Sequence, residues 1–263
     1  MKNYCVISCL APNQIAPPWL KSSGNEELLG VSVQYILSPL RNSRVLLIEG
    51  EGGCGLTSLL DAMKKNLFRA KLNVVSIHDG LGGDDPCMLT SLLQAIKVPL
   101  PLKGRKRLTV VAETVIKLRR LDCIIVHDIQ RFCYLDNNQK KISLEALSYL
   151  GRLLPSCKFV LGGHPDSVYF FGDVFESCMT KKLCIEPMKF DQLYENFVYD
   201  AFNLMGALQA RSQVDLKGLH VMSRGLVGRT FSELQHVAGQ GRVSYLSEKW
   251  NENSPRFDKG TVR

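Results

Sequence analysis

Residues 44–58 read RVLLIEGEGGCGLTS, and this short stretch decides the fold. Its first part, Arg44–Glu49, is an apolar run of the kind that forms a buried parallel strand. The glycine-rich residues Gly50–Gly55 then interrupt the strand, and helical periodicity extends from Thr57 to Phe68. A buried strand, a glycine loop and a helix in this order predict a phosphate-binding loop in an α/β protein.

The chain that follows alternates between strand and helix patterns. Further strands are predicted at Asn73–His78, Asp122–His127, Lys158–Gly162 and Lys182–Ile185. Helices are predicted between them at Pro86–Ile96, Lys106–Arg120 and Ser143–Leu154. Strands separated by helices form crossover connections, so we expect a mostly parallel sheet that helices cover on both faces.

After Pro187 the pattern becomes entirely helical, which predicts a small C-terminal helical lid on the α/β core. The lid helices are expected at Phe190–Leu208, Asp215–Met222 and Gly228–Gly239. Helical spacing predicts a set of core aromatic and aliphatic side chains: Phe190, Leu193, Phe197 and Phe202. The expected divisions are an N-terminal extension at 1–25, the core at 26–188, the lid at 189–246 and a loose tail at 247–263.

The composition indicates a folded cytoplasmic protein and is compatible with an acidic partner. With 263 residues, 45% of them hydrophobic, the chain can bury a substantial core. No apolar run approaches the roughly 20 residues that span a bilayer, and the N-terminus does not resemble a signal peptide, so we expect no membrane association. Nine cysteines without a C-x-x-C pair favour reduced thiols over disulfides or zinc. Lys and Arg outnumber Asp and Glu by 33 to 25, and the net charge of +8 is compatible with a nucleic-acid partner.

The glycine loop matches a phosphate-binding loop at every fixed position except one. Its candidate nucleotide-binding residues are Gly50, Gly52, Gly53, Gly55, Leu56, Thr57 and Ser58. Glycines let backbone N–H groups surround an anion, and Thr57 stands where a magnesium-binding hydroxyl is expected. Leu56 replaces the usual lysine. An ammonium about 4 Å from a phosphate is worth about 4 kcal/mol at a dielectric near 20, so its loss disfavours efficient hydrolysis of ATP.

A second altered motif follows the strand at Asp122–His127. A magnesium-dependent nucleotide hydrolase ends this strand with two acids, the first for the metal and the second for the attacking water. This chain has His127 and Asp128 there. Asp128 is therefore the candidate catalytic base, whereas an imidazole is a poor magnesium ligand. ATP and Mg²⁺ stay candidate cofactors, with nucleotide binding weakened or lost.

These segments, in this order, resemble the TniB/TnsC group of AAA+ ATPases, transposition regulators related to the MuB and IstB helpers. The resemblance rests on Val45–Ser58, Leu121–Phe132 and Phe159–Asp166, and the stretch Met222–Arg229 is similar to the family's lid motif. It extends from about Glu26 to Gly239. Leu56 in Walker A, His127 in Walker B and His164 at the small polar sensor position depart from the family pattern.

The resemblance implies an AAA+ protein that assembles around duplex DNA and recruits a transposase. With both Walker motifs altered, we predict an adaptor that binds DNA and a transposase, with weak or no ATP hydrolysis. It would act as an oligomer or in co-assembly with an AAA+ partner. Two alternatives stay open. One is a residually active ATPase that assembles on DNA and uses Thr57 and Asp128. The other is a protein-interaction scaffold that binds neither DNA nor nucleotide.

A basic run between the second and third strands is the candidate DNA contact. It consists of Lys103, Arg105, Lys106 and Arg107. The resemblance places loops of this region facing DNA, and cations at this density neutralise phosphates without reading bases. The alternative interpretation is a solvated helix start beside Pro99 and Pro101.

Three histidines follow predicted strands: His78, His127 and His164. Neighbouring strands lie about 4.8 Å apart, so these side chains could converge at the carboxyl edge of the sheet and hold a transition metal. We expect instead three independent polar residues at loop mouths and no metal site.

Overall fold

The computed structural model describes residues 23–38, 43–77, 88–98, 108–167, 179–207, 211 and 214–240. They form two compact units, the first ending at Glu186 and the second beginning at Pro187. The elements of the first unit are α1 (Ser23–Leu37), β1 (Ser43–Gly50), α2 (Leu56–Arg69), β2 (Val74–Ile77), α3 (Met88–Ala95), α4 (Val110–Arg119), β3 (Cys123–Val126), α5 (Asn137–Leu153), β4 (Lys158–Gly163) and β5 (Met179–Ile185). A 3-10 helix, Ile129–Tyr134, follows β3. The second unit contains α6 (Gln192–Leu204), α7 (Leu216–Ser223) and α8 (Val227–Gln240).

The first unit is built on a five-stranded sheet in the order β2-β3-β4-β1-β5. Every pairing is parallel, and β1 lies between β4 and β5. Each strand predicted from the sequence is present within a few residues. The predicted α/β fold with a parallel sheet flanked by helices is therefore confirmed.

Alternating residues of the strands pack against helices on opposite faces of the sheet. On one face, Val45 and Leu47 of β1 belong to a buried cluster with α3, α4 and α5. On the other, Gly162 of β4 faces α2, since a Cβ built there would lie 2.6 Å from Leu60 Cδ1. The central strands are thus buried on both sides, which explains why β1, β3 and β4 contain nearly continuous apolar runs.

Helix α1 was not predicted, because its apolar residues are spread around its circumference and not along one face. Contacts with the sheet hold its C-terminal end. Lys158 Nζ donates hydrogen bonds to the carbonyl oxygens of Tyr35 (2.7 Å) and Ser38 (2.5 Å). The Tyr35 hydroxyl donates to the carbonyl of Val45 at 3.0 Å. A cation on the last carbonyls of a helix satisfies their hydrogen bonding and opposes the helix dipole.

The second unit has its own core, which corrects two of the predicted core residues. Phe197 and Phe202 are buried as predicted, but Phe190 and Leu193 are 43% and 45% exposed. Asp191 is the N-cap of α6, with its carboxylate accepting from the backbone N–H groups of Leu193 and Tyr194. Phe190 therefore precedes the helix, and Leu193 lies one position off its buried stripe. Within the described ranges, no helix is both long and apolar enough to cross a bilayer.

Cys157, just before β4, should make stability depend on alkaline pH. It is fully buried, and burial raises the pKa of its thiol from 9.0 to about 12. The unfolded chain loses this proton first, so the stabilisation is complete below pH 9.0 and is lost as the pH rises towards 12. At pH 10.5 the loss from this thiol should be about 2 kcal/mol. The measurement is urea unfolding of the wild type and of Cys157→Ala at pH 8 and pH 10.5. Between these pH values the unfolding free energy of the wild type should fall by about 2 kcal/mol more than that of Cys157→Ala. Equal falls in the two proteins would contradict the prediction.

Candidate nucleotide-binding site

The loop between β1 and α2 has a conformation that explains three of its glycines. Gly53 and Gly55 have φ angles of 89° and 91°, in the left-handed region that favours glycine. A Cβ at Gly50 would overlap Cys54 Sγ, which is buried under the loop. Gly52 is exposed with open space around it. Gly50, Gly53 and Gly55 therefore build the loop, and Gly52 leaves its outer side unobstructed.

The end of the loop presents neutral hydrogen-bond donors. Helix α2 begins at Leu56, and its N-cap, Gly55, has no side chain with which to cap the first turn. Helix N-termini with free N–H groups attract anions, and glycine loops add further N–H groups. Thr57 is exposed beside them. Burial raises the pKa of the Cys54 thiol, so this residue stays uncharged at neutral pH and does not repel an anion.

Leu56, at the lysine position of the motif, packs against the sheet. Its Cδ1 atom is 3.3 Å from where a Cβ on Gly162 would lie, and Leu60 approaches the same point. The absence of a side chain at Gly162 provides the room for both leucines. A methyl group thus occupies the place from which a lysine would extend, and it contributes packing in place of charge.

His127, at the first acid position, makes a side-chain hydrogen bond to a residue of the neighbouring strand β2. Its side chain is 3% exposed, and Nε2 lies 2.8 Å from Ser76 Oγ on β2. Strand β2 lies on the opposite side of β3 from β4 and β1. The imidazole is therefore oriented towards the edge of the sheet and away from the strand that carries the glycine loop.

Asp128 comes next and has a left-handed backbone, with φ 51°. Its Oδ1 atom accepts a hydrogen bond from Gln130 Nε2 at 2.9 Å. Gln130 also lies at the end of β4, because a Cβ on Gly163 would be 2.9 Å from its Oε1. A left-handed conformation in a residue other than glycine stores strain, a feature that is enriched at functional sites. The candidate base is thus at the carboxyl edge of the sheet, held by its own loop.

The three histidines do not form a described metal site. His127 faces Ser76, and His164 is exposed, with Nδ1 3.3 Å from Asp166 Oδ2. His78 lies outside the described residues. Among the residues that the structure describes, no three acidic, histidine or cysteine side chains are grouped so as to hold a metal ion.

The predicted DNA-contact run lies outside the described residues, because the structure does not describe residues 99–107. The described chain resumes at Leu108, which is buried. Thr109 then caps α4, with its hydroxyl accepting from the N–H of Ala112 at 3.3 Å. Helix α4 therefore begins at Val110, later than the predicted start at Lys106.

Ser76 and Gln130 were not among the predicted site residues. Each is joined to a residue of the second motif by a side-chain hydrogen bond. The Asp128–Gln130 contact spans only two positions, so the short D-x-Q pattern was a usable local signal. The Ser76–His127 contact depends on how β2 pairs with β3, and no local pattern encodes it.

The fold matches solved structures, although no protein-family model and no curated protein match the sequence. The Aeropyrum pernix ORC2 protein, solved as ADPNP–ADP complexes, is 14% identical with a TM-score of 0.54, over 96% of this chain and 72% of that one. Cdc6p from Pyrobaculum aerophilum is 14% identical with a TM-score of 0.57, over 91% and 69% of the two chains. Domain III of the Thermotoga maritima replication initiation protein DnaA is 14% identical with a TM-score of 0.50, over 92% and 98%. At such low identity this similarity establishes the fold alone, a parallel sheet between helices.

Proposed function

We propose that this chain is a nucleotide-binding, DNA-associated AAA+ protein that acts as an adaptor in DNA transposition, with weak or no ATP hydrolysis. One observation carries the proposal: both positions that hydrolysis needs are engaged elsewhere. Leu56 packs over Gly162, and His127 is bound to Ser76. Neither supplies the charge that would stabilise a phosphoryl transition state or hold its metal ion.

Nucleotide binding is supported by what the loop retains. Its left-handed glycines, the open start of α2 and the exposed Thr57 present neutral donors suited to phosphate oxygens. The A. pernix ORC2 protein, which has the same fold, was solved with ADP and with ADPNP. Without the lysine we expect binding to be weaker than in an intact loop of this kind.

The DNA and transposase parts of the proposal rest on the sequence. The net charge of +8, the basic run at 103–107 and the TniB/TnsC resemblance support duplex DNA as a partner. Two neighbours of the same fold are a DNA replication initiation factor and a replication initiation protein. By the same resemblance, the chain would assemble with itself or with an AAA+ partner and bind a transposase.

A phosphate-release assay in the presence of duplex DNA separates the adaptor from the residual ATPase. We expect turnover no higher than that of the Thr57→Val and Asp128→Asn variants, because the lysine and the first acid are already missing. Turnover that the wild type shows and both variants lose would favour the ATPase. The double variant Leu56→Lys, His127→Asp is the matched gain-of-function control for the assay.

Fluorescence anisotropy with duplex DNA across a salt series separates the adaptor from the scaffold. We expect binding that weakens steeply with salt, because it would rest on phosphate contacts. Tighter binding on addition of ATP would show that the altered loop still couples nucleotide to assembly. The absence of binding at every salt concentration, with or without nucleotide, would exclude the DNA part of the proposal.

A further inference from the structure

A magnesium ion beside this loop would need oxygen ligands that the described residues at the two acid positions do not both provide. Mg²⁺ requires nearly octahedral oxygen coordination and binds proteins through one or two carboxylates together with phosphate oxygens. The first of the two acid positions holds His127, which offers a metal ion nitrogen and not oxygen. Its Nε2 atom faces Ser76 Oγ at 2.8 Å, on the side of β3 away from β4 and β1. The imidazole is thus unsuited to the ion in its chemistry, and its Nε2 atom is directed away from the glycine loop.

The second acid position is held in place by its own loop. Asp128 Oδ1 accepts from Gln130 Nε2 at 2.9 Å, and the left-handed backbone at Asp128 sets the direction of the side chain. Oδ1 is therefore taken by the Gln130 amide, and in an intact motif this second position acts on the attacking water and not on the metal. Among the described residues of the two motifs, Thr57 is the magnesium-type ligand that remains, and a single neutral hydroxyl is a weak ligand. The residues at these positions therefore do not fit a resident Mg²⁺.

The donors that remain in the loop do not need a metal. Backbone N–H groups at the start of α2 and along the glycine loop bind anionic oxygens directly through their partial positive charge. The buried Cys54 thiol beneath them is kept neutral by its raised pKa, as noted above. Leu56 contributes packing on Gly162 and no charge. The chemistry of the site is that of a neutral anion cradle.

We propose that this loop binds an adenine nucleotide through its phosphate oxygens alone, so that binding does not depend on magnesium. The inference rests on the proposed nucleotide binding and specifies that the metal takes no part in recognition. It distinguishes this chain from a nucleotide hydrolase that recognises the metal complex. Nucleotide would serve as a structural ligand, held equally well whether or not Mg²⁺ is present.

The direct test is the affinity of the full chain for a fluorescent ADP analogue in excess MgCl₂ and in excess EDTA. The diphosphate is the better probe, because it has no γ-phosphate whose hydrolysis would change the ligand during the titration. We expect dissociation constants that agree within threefold. Binding that weakens more than threefold in EDTA overturns the magnesium-free inference and leaves nucleotide binding intact. The absence of binding in both conditions overturns the nucleotide part of the proposed function as well.

Two substitutions at one position show whether the imidazole excludes the metal. His127→Asp restores a carboxylate. His127→Asn introduces a side chain of the same size as aspartate but without its charge. For His127→Asp we expect the ADP analogue to bind at least tenfold more weakly in EDTA than in MgCl₂. For His127→Asn the two dissociation constants should differ by no more than threefold. Far-UV circular dichroism and urea unfolding check that both variants fold. If His127→Asp responds to magnesium no more than His127→Asn does, the inference is overturned.

Discussion

Replacing Gly225 by alanine should destabilise the second unit by about 3 kcal/mol, the sum of left-handed strain of about 1–2 kcal/mol and overpacking of about 1–3 kcal/mol. Gly225 has φ 68°, and a Cβ there would overlap the carbonyl oxygen of Met188 and lie 3.0 Å from His220 Nε2. The backbone of Met188 cannot easily move away. Its N–H donates to the carbonyl of Gly225 at 2.9 Å, and its carbonyl oxygen is 2.8 Å from His220 Nε2.

Gly206→Ala is the matched control for this prediction. Gly206 has nearly the same φ, 67°, but a Cβ there would meet nothing within 4 Å. It should therefore cost only the conformational strain, about 1–2 kcal/mol. Urea unfolding, followed by circular dichroism and by hydrogen exchange of α6–α8 amides, compares the two. Equal losses would mean that the contact with Met188 is not what requires glycine at 225.

The central strands were predictable because they contain short apolar runs between polar or glycine-containing segments. β3 and β4 are buried on both faces, so their sequences carry a strong signal with no alternation to interpret. Helix α1 carries no comparable signal. Its end is held by Lys158, 120 residues or more further along the chain, and a contact at that distance leaves no local pattern.

The candidate site was likewise only partly predictable from the sequence. Glycines at left-handed positions leave a direct trace in the sequence, so the loop at Gly50–Gly55 was predicted correctly as a turn into a helix. The contacts made by the uncharged residues at the altered motif positions could not be predicted from the sequence. Ser76 pairs with Ile125 across β2 and β3, which puts His127 on the same face as Ser76 and within reach of it. That register becomes known only when both strands are in place.

Removing the basic run should have the largest effect on DNA binding. The variant replaces Lys103, Arg105, Lys106 and Arg107 by glutamine. If each cation neutralises one phosphate of a duplex, the slope of log affinity against log salt should fall by about 0.9 per contact, or about 3.6 in all. If the two proteins bind equally at 1 M salt, this corresponds to an affinity about four thousandfold lower near 0.1 M salt. Anisotropy with the same duplex across a salt series measures both the slope and the affinity.

The control variant removes the same number of charges from described, exposed positions on helices. It replaces by glutamine Lys65, Lys117, Arg119 and Lys141. Both variants lower the net charge equally, so any general attraction between a basic protein and DNA falls by a similar amount. Only contacts made by the run itself can lower the salt slope in one variant and leave it unchanged in the other. If both slopes fall alike, DNA is attracted by overall charge, and the basic run has no special role. If only the first slope falls, the run is the phosphate-binding surface, and its effect should be the same with and without nucleotide.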